Sequence, residues 1–133
     1  MNSRVTTFDN EELVRGNRRV LTRNGAPLLF AYEANTFWQR FRGVKAHPAL
    51  GQTDALVINP CSSIHTFGLK DALDVLFVGV RGEILKVKTV KPWSASFCVD
   101  AALVIEMSAG TIERLDFQVG QRIVPENALW RQE

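Results

Sequence analysis

Two β-branched runs, Val75 to Val80 and Ile84 to Val90, stand on either side of Arg81-Gly82-Glu83 and constrain this chain more than any other feature. Valine and isoleucine suit the pleated surface of a strand, and a glycine between two such runs supplies the freedom a tight turn needs. An antiparallel hairpin follows. Leu85 and Val87 alternate with Lys86 and Lys88, the period of two that leaves one face buried and one wet.

The same grammar recurs along the chain. Val20 to Thr22 and Leu28 to Tyr32 flank Asn24-Gly25, a dipeptide suited to positive φ, although Pro27 limits pairing near the second run. Asn35 or Thr36 caps a short helix through Phe37, Trp38, Phe41 and Val44, and Gly43 helps to end it. His47-Pro48 and Gly51 mark a loop, after which Ala55 to Ile58 forms a short strand ending before Pro60. Ala101 to Met107 makes a further strand, and Ala109-Gly110-Thr111 opens a second short helix through Leu115. Val119 to Val124 returns to strand until Pro125 stops it. Many short strands, turn signals between them and two short helices predict a mainly β, β-rich α+β fold, a compact antiparallel sandwich or partly closed barrel.

At 133 residues the chain fits one domain able to bury its own core. Residues 1–17 lack apolar periodicity and are expected to form a flexible extension, leaving 18–133 as the domain. Hydrophobic residues at 46% and charged residues at 23% match ordinary globular proteins, so composition excludes neither an enzyme nor a binding module. Lys and Arg number eight in residues 1–45 against four Asp and Glu, and eight against ten in the remainder, giving +4 and −2 and summing to the net +2. Arg15, Arg18, Arg19 and Arg23 read as a solvated basic face or a contact for an acidic partner; nucleic acid is not favoured. No apolar leader or membrane-length run occurs, so a cytoplasmic protein without a membrane span is expected. Cys61 and Cys98 then read as free thiols.

Chemistry-bearing residues concentrate in the Cys61 to Lys70 loop. Cys61 and His65, with Ser63 between them, share one face if the segment is extended, but four residues of strand span roughly 13 Å. A Cys/His nucleophile pair would therefore need a tight loop, with Asp71 or Asp74 to orient the base. Metal binding would draw on Cys61, His65, His47 and an Asp, yet no standard ligand spacing exists, and no Walker or dinucleotide glycine pattern is found. No cofactor is implied. Asp74 lies at the mouth of an apolar strand, where a carboxylate is costly unless it accepts several hydrogen bonds. Backbone N–H groups of the Phe67 to Lys70 turn, or Arg40, are its expected partners. Trp38 reads as a packing residue and Trp130 as another, while Trp93, between Pro92 and Ser94, reads as an exposed aromatic contact.

His65, Thr66, Gly68, Asp74, Val75, Phe77 and Gly82 together resemble the domain of unknown function 192 family of bacteria and archaea, whose members carry x-H-T-x-G-M-x-x-P-I-D-V-x-F at this place. The resemblance extends from about Ala34 to Ile123, with Arg40 and Gly43 before the central segment and Leu103, Glu106, Ala109, Gly110 and Gly120 after it. Leu69 replaces the usual Met, Ala72 the usual Pro, Ser108 a Pro and Gln121 an Asp. The resemblance implies a compact β-rich domain and no established activity.

Two functions remain in view. One is a non-catalytic module that binds a small molecule, glycan or protein through the Cys61 to Lys70 loop, with Arg40, His65, Thr66, Lys70, Asp74 and Trp93 as ligand-facing residues. The other is a small hydrolase-like enzyme using His65 and Asp74, with Cys61 as an alternative nucleophile.

Overall fold

The structure, a computed structural model, describes residues 19–33 and 50–126. The predicted helix over 36–44, the N-terminal extension, Arg40, His47, Trp38 and Trp130 lie outside them.

Asn24 and Gly25 both take positive φ, 55° and 81°, and turn β1 (Arg19–Arg23) back on β2 (Ala26–Glu33). Pro27 enters the ladder opposite Thr22, just beyond a bulge at Leu21/Thr22. β3 (Asp54–Ile58) runs parallel to β2, a pairing absent from the sequence reading. After the three-residue β4 (Ser63–His65), the central hairpin joins β5 (Leu73–Val78) to β6 (Ile84–Val90). β5 stops at Val78, earlier than expected, because the Gly79 N–H already donates to the Glu83 carbonyl and closes the turn. β7 (Ala95–Phe97), β8 (Leu103–Ser108), helix α1 (Thr111–Leu115) and β9 (Val124–Pro125) complete the order.

Seven strands form one mixed sheet in the order β6-β5-β8-β3-β2-β1-β9, and β4 pairs with β7 in a separate two-stranded sheet. The fold is strand-rich as predicted, and the large sheet is not closed into a barrel. Among the described residues its two ends meet at a corner, where Glu83 bridges Arg122 and the Ile123 N–H donates to the Gly82 carbonyl. The strand expected from Val119 contracts to Val124–Pro125, since Gly120 at φ 99° belongs to a turn. Pro125 pairs with Leu21 at the sheet edge, where a missing N–H is tolerated. Among the described residues there is one helix, α1.

β5 and β8 are interior strands of the sheet and are buried on both faces, which explains their continuous apolar sequence. On one side Leu76, Val78, Leu103, Ile105 and Met107 pack with Leu21, Leu29 and Val57 beneath Ile112, Leu115, Phe117 and Ile123. On the other, Val75, Phe77, Val90 and Val104 pack under Ile64 of β4. Burying a side chain such as Phe77 contributes ~2–3 kcal/mol, so these two layers carry much of the stability. The small sheet is thereby held against one face, and its own outer side is left to solvent.

Candidate functional site

β4 and β7 each show an exposed, buried, exposed pattern, so Ile64 and Ser96 point inward while Ser63, His65, Ala95 and Phe97 point outward. At one end of this two-stranded sheet the Thr66 hydroxyl, fully buried, donates to the Lys91 carbonyl and accepts the Ser94 N–H at 2.9 Å. The Thr66 carbonyl in turn accepts the N–H groups of Leu69 (3.0 Å) and Trp93 (3.1 Å). One threonine thus ties the 66–69 turn to the 91–94 turn, and both polar functions of its side chain are satisfied.

That tie brings three rings together. His65 stacks on Phe67 at 4.6 Å between centroids, and Phe67 stacks on Trp93 at 6.2 Å, each pair at 25°. His65 Nδ1 accepts the Phe67 N–H at 3.2 Å, which leaves Nε2 to carry the proton of the neutral ring. Trp93 has φ 59°, a left-handed conformation that costs a side chain of its size roughly 1–2 kcal/mol. Despite that cost its ring is held outward, 68% exposed, beside Phe67 at 52%. At the opposite end Phe97 (68%) and Val99 (83%) also protrude. Lys86 reaches in from β6, donating to the Phe97 carbonyl at 2.9 Å and lying over the rings of Phe77 and Phe97.

Asp74 does not join this face. By strand alternation it points to the α1 side of the sheet, where it is 1% exposed. Its Oδ2 accepts the N–H groups of Gly110 and Ile112, both at 2.9 Å, and its Oδ1 accepts the Thr89 hydroxyl at 2.7 Å. The expected partners in the Phe67 to Lys70 turn are replaced by the first turn of α1, whose Gly110 N-cap offers no side-chain cap of its own. Cys61 is engaged separately: its thiol donates to the Ser63 carbonyl at 2.9 Å. Burial pushes that thiol above its ordinary pKa, an effect partly offset by the Ser63 backbone and reinforced by the Glu106 carboxylate. A thiol so placed is the opposite of an activated nucleophile. Cys61, His65 and Asp74 are therefore bonded to three different sets of partners, and Lys70 is exposed next to the Thr66 turn.

Both cysteines are free thiols. Among the described residues no group of three or more His, Cys, Asp or Glu could hold a metal ion, and no helix is long and apolar enough to cross a membrane. Phe67, Phe97, Val99 and Lys86 were not singled out in the sequence as part of this face. The alternation in Ser63-Ile64-His65 and in Ala95-Ser96-Phe97 is its only local signal, and three residues are too few to stand out.

The arrangement defines a class of small β-rich domain with a buried carboxylate anchoring a helix on one side of a mixed sheet and a two-stranded sheet with exposed aromatic rings on the other. The chain belongs to the domain of unknown function 192 family, described as Uncharacterized ACR, COG1430, which matches residues 19–125. It is 30% identical over 97 residues to a UPF0127 protein of Thermococcus sibiricus, covering 68% of this chain and 62% of that protein. Over 65 residues it is 32% identical to UPF0127 protein PF1050 of Pyrococcus furiosus, covering 47% and 54% respectively. The match thus spans less than two thirds of these relatives' own length. A crystal structure from Sinorhizobium meliloti 1021, of a protein described as a candidate transcription regulator, has a TM-score of 0.64 at 21% identity, covering 81% of this chain and 92% of that one. A protein of unknown function from Novosphingobium aromaticivorans has a TM-score of 0.63 at 16% identity, covering 80% and 82%. At these identities the two structures show the fold alone.

Proposed function

We propose that this domain is a non-catalytic binding module whose contact face is the outer side of the β4–β7 sheet together with the Cys61 to Lys70 loop. The observation that carries this reading is the His65–Phe67–Trp93 stack, held outward on a fully satisfied Thr66 at the cost of a left-handed Trp93. Backbone strain kept at an exposed aromatic is a feature of ligand-contacting segments. Within this reading Lys70 borders the face, Thr66 shapes it, and Asp74 supports the opposite layer of the fold. The hydrolase alternative has less support, because Asp74 is taken up by three donors around α1 and the Cys61 thiol is held protonated.

The test is amide-resolved NMR titration of the full chain with metabolites, glycans, short peptides and lipid vesicles. Shifts centred on residues 63–67 and 93–97, and lost in Trp93→Asn, are expected. Shifts centred elsewhere, or ester turnover abolished by His65→Ala, would overturn the proposal.

A further inference from the structure

We infer that the outer face of the β4–β7 sheet seats on an anionic lipid bilayer surface. The inference rests on that face being the contact face and names its partner.

The first observation is the kind of apolar surface exposed. Phe67, Trp93, Phe97 and Val99 are each more than half exposed and lie at the two ends of the short β4–β7 sheet. Protruding side chains at both ends suit insertion into a soft, planar partner. Ring stacking sharpens the distinction. His65, Phe67 and Trp93 stack in series, so both faces of Phe67 and one face each of His65 and Trp93 are taken up. A sugar or a nucleobase needs an open ring face, whereas an acyl and headgroup boundary takes aromatic bulk in any orientation. Val99, at 83% exposure, offers nothing to a stacking ligand and fits a lipid surface equally well.

Charge supplies the second observation. Lys86 and Lys88 rise from β6 on the side that carries the small sheet, since Val90 in the same register packs with Ile64. Lys86 is fixed against the Phe97 carbonyl and ring. Lys70 and Lys91 belong to the two turns joined through Thr66. Asp71 and Asp100 are the exposed carboxylates next to this group, so lysines outnumber acids around the rings. Apolar side chains flanked by lysines match the two attractions of an anionic membrane surface, burial in the interface and attraction to the headgroups. A second copy of the same face would set lysines against lysines and is disfavoured for that reason.

The experiment is flotation of the full chain with vesicles of phosphatidylcholine alone and of phosphatidylcholine mixed with phosphatidylglycerol. Glycerol phosphate and a single-stranded oligonucleotide serve as soluble arms. Binding to the mixed vesicles, weakened by salt and absent on neutral vesicles, is the expected result. Each of Lys88→Gln and Lys91→Gln should weaken it about fivefold, the effect of one surface lysine. Phe97→Ser with Val99→Ser should abolish it while leaving the thermal midpoint close to wild type. Trp93→Asn, which suits the left-handed backbone, is a second apolar variant that keeps the fold. Equal binding to both vesicle types, binding that survives the apolar variants, or no flotation would overturn the inference. Binding of the oligonucleotide or a glycan through Trp93 without flotation would overturn it too, and would leave the contact-face reading standing.

Discussion

Asp74 on β5 and Ile112 in α1 are joined by a 2.9 Å hydrogen bond across 38 residues, with the carboxylate accepting from the helix backbone. The same oxygen accepts from Gly110, so a strand side chain provides the cap that the helix's own sequence lacks.

Replacing Asp74 with Ala leaves the Gly110 and Ile112 N–H groups and the Thr89 hydroxyl without their acceptor, at about 1–3 kcal/mol for each group that stays buried and unsatisfied. Denaturant unfolding should show a large loss. Asp74→Asn keeps one acceptor oxygen and should recover part of it, since the lost charge weakens each remaining bond. His65→Ala, at an exposed ring, should be milder than either. An Asp74→Ala protein of wild-type stability would refute the capping role.

Thr66→Val keeps the shape of the side chain and removes its hydroxyl, leaving the Ser94 N–H and the Lys91 carbonyl unpaired. A loss of ~2 kcal/mol is expected, together with faster amide exchange at Ser94. Thr66→Ser should retain most of the protection. Unchanged exchange in Thr66→Val would show that the two turns are tied by something else.

Trp93→Asn should raise stability by ~0.5–1 kcal/mol. Asparagine accepts the left-handed conformation that tryptophan occupies at φ 59°, and relief of that strain outweighs a ring contact at 6.2 Å. A thermal melt beside wild type checks the sign. Destabilisation would mean that the ring holds the fold rather than a partner.

Cys61 should be alkylated by iodoacetamide more slowly in the folded chain than in denaturant at the same pH, because burial raises its pKa when folded. The sign for stability follows from the same shift. The neutral thiol favours the fold below the ordinary thiol pKa, and that contribution is lost as pH rises through the elevated folded value. Cys61→Ala should therefore flatten the loss of stability at alkaline pH, read by denaturant midpoints across the thiol range. Mass mapping of both cysteines gives the rates; a faster Cys61 in the folded state would contradict the shift.

The hairpins were legible because Asn24-Gly25 and Arg81-Gly82-Glu83 write their turns locally. β5 and β8 were legible because they are long and apolar, and β6 because Leu85 and Val87 alternate with Lys86 and Lys88. β4 and β7 were not, since Ser63-Ile64-His65 and Ala95-Ser96-Phe97 contain one inward residue each and owe their strand state to pairing across 30 to 34 positions. The demand of Asp74 for donors could be read from its neighbours, but its donors could not, because Gly110 meets it only after the chain has folded over 36 residues. Trp93 was singled out from the loop around it, while Phe67, Phe97 and Val99 gained meaning only when the small sheet turned them outward.

The position of β8 has a consequence for how the protein is made. Strand β8 lies between β3 and β5, so that interior place in the sheet is filled by residues 103–108, after all seven strands from β1 to β7 have been synthesised. Until then the adjoining edges of Ala55–Ile58 and Leu73–Val78, nearly all buried in the finished fold, have no native neighbour on that side. Such edges pair with whatever strand is at hand. A nascent chain halted before Leu103 is thus the aggregation-prone form of this protein, and synthesis of one six-residue segment ends that exposure.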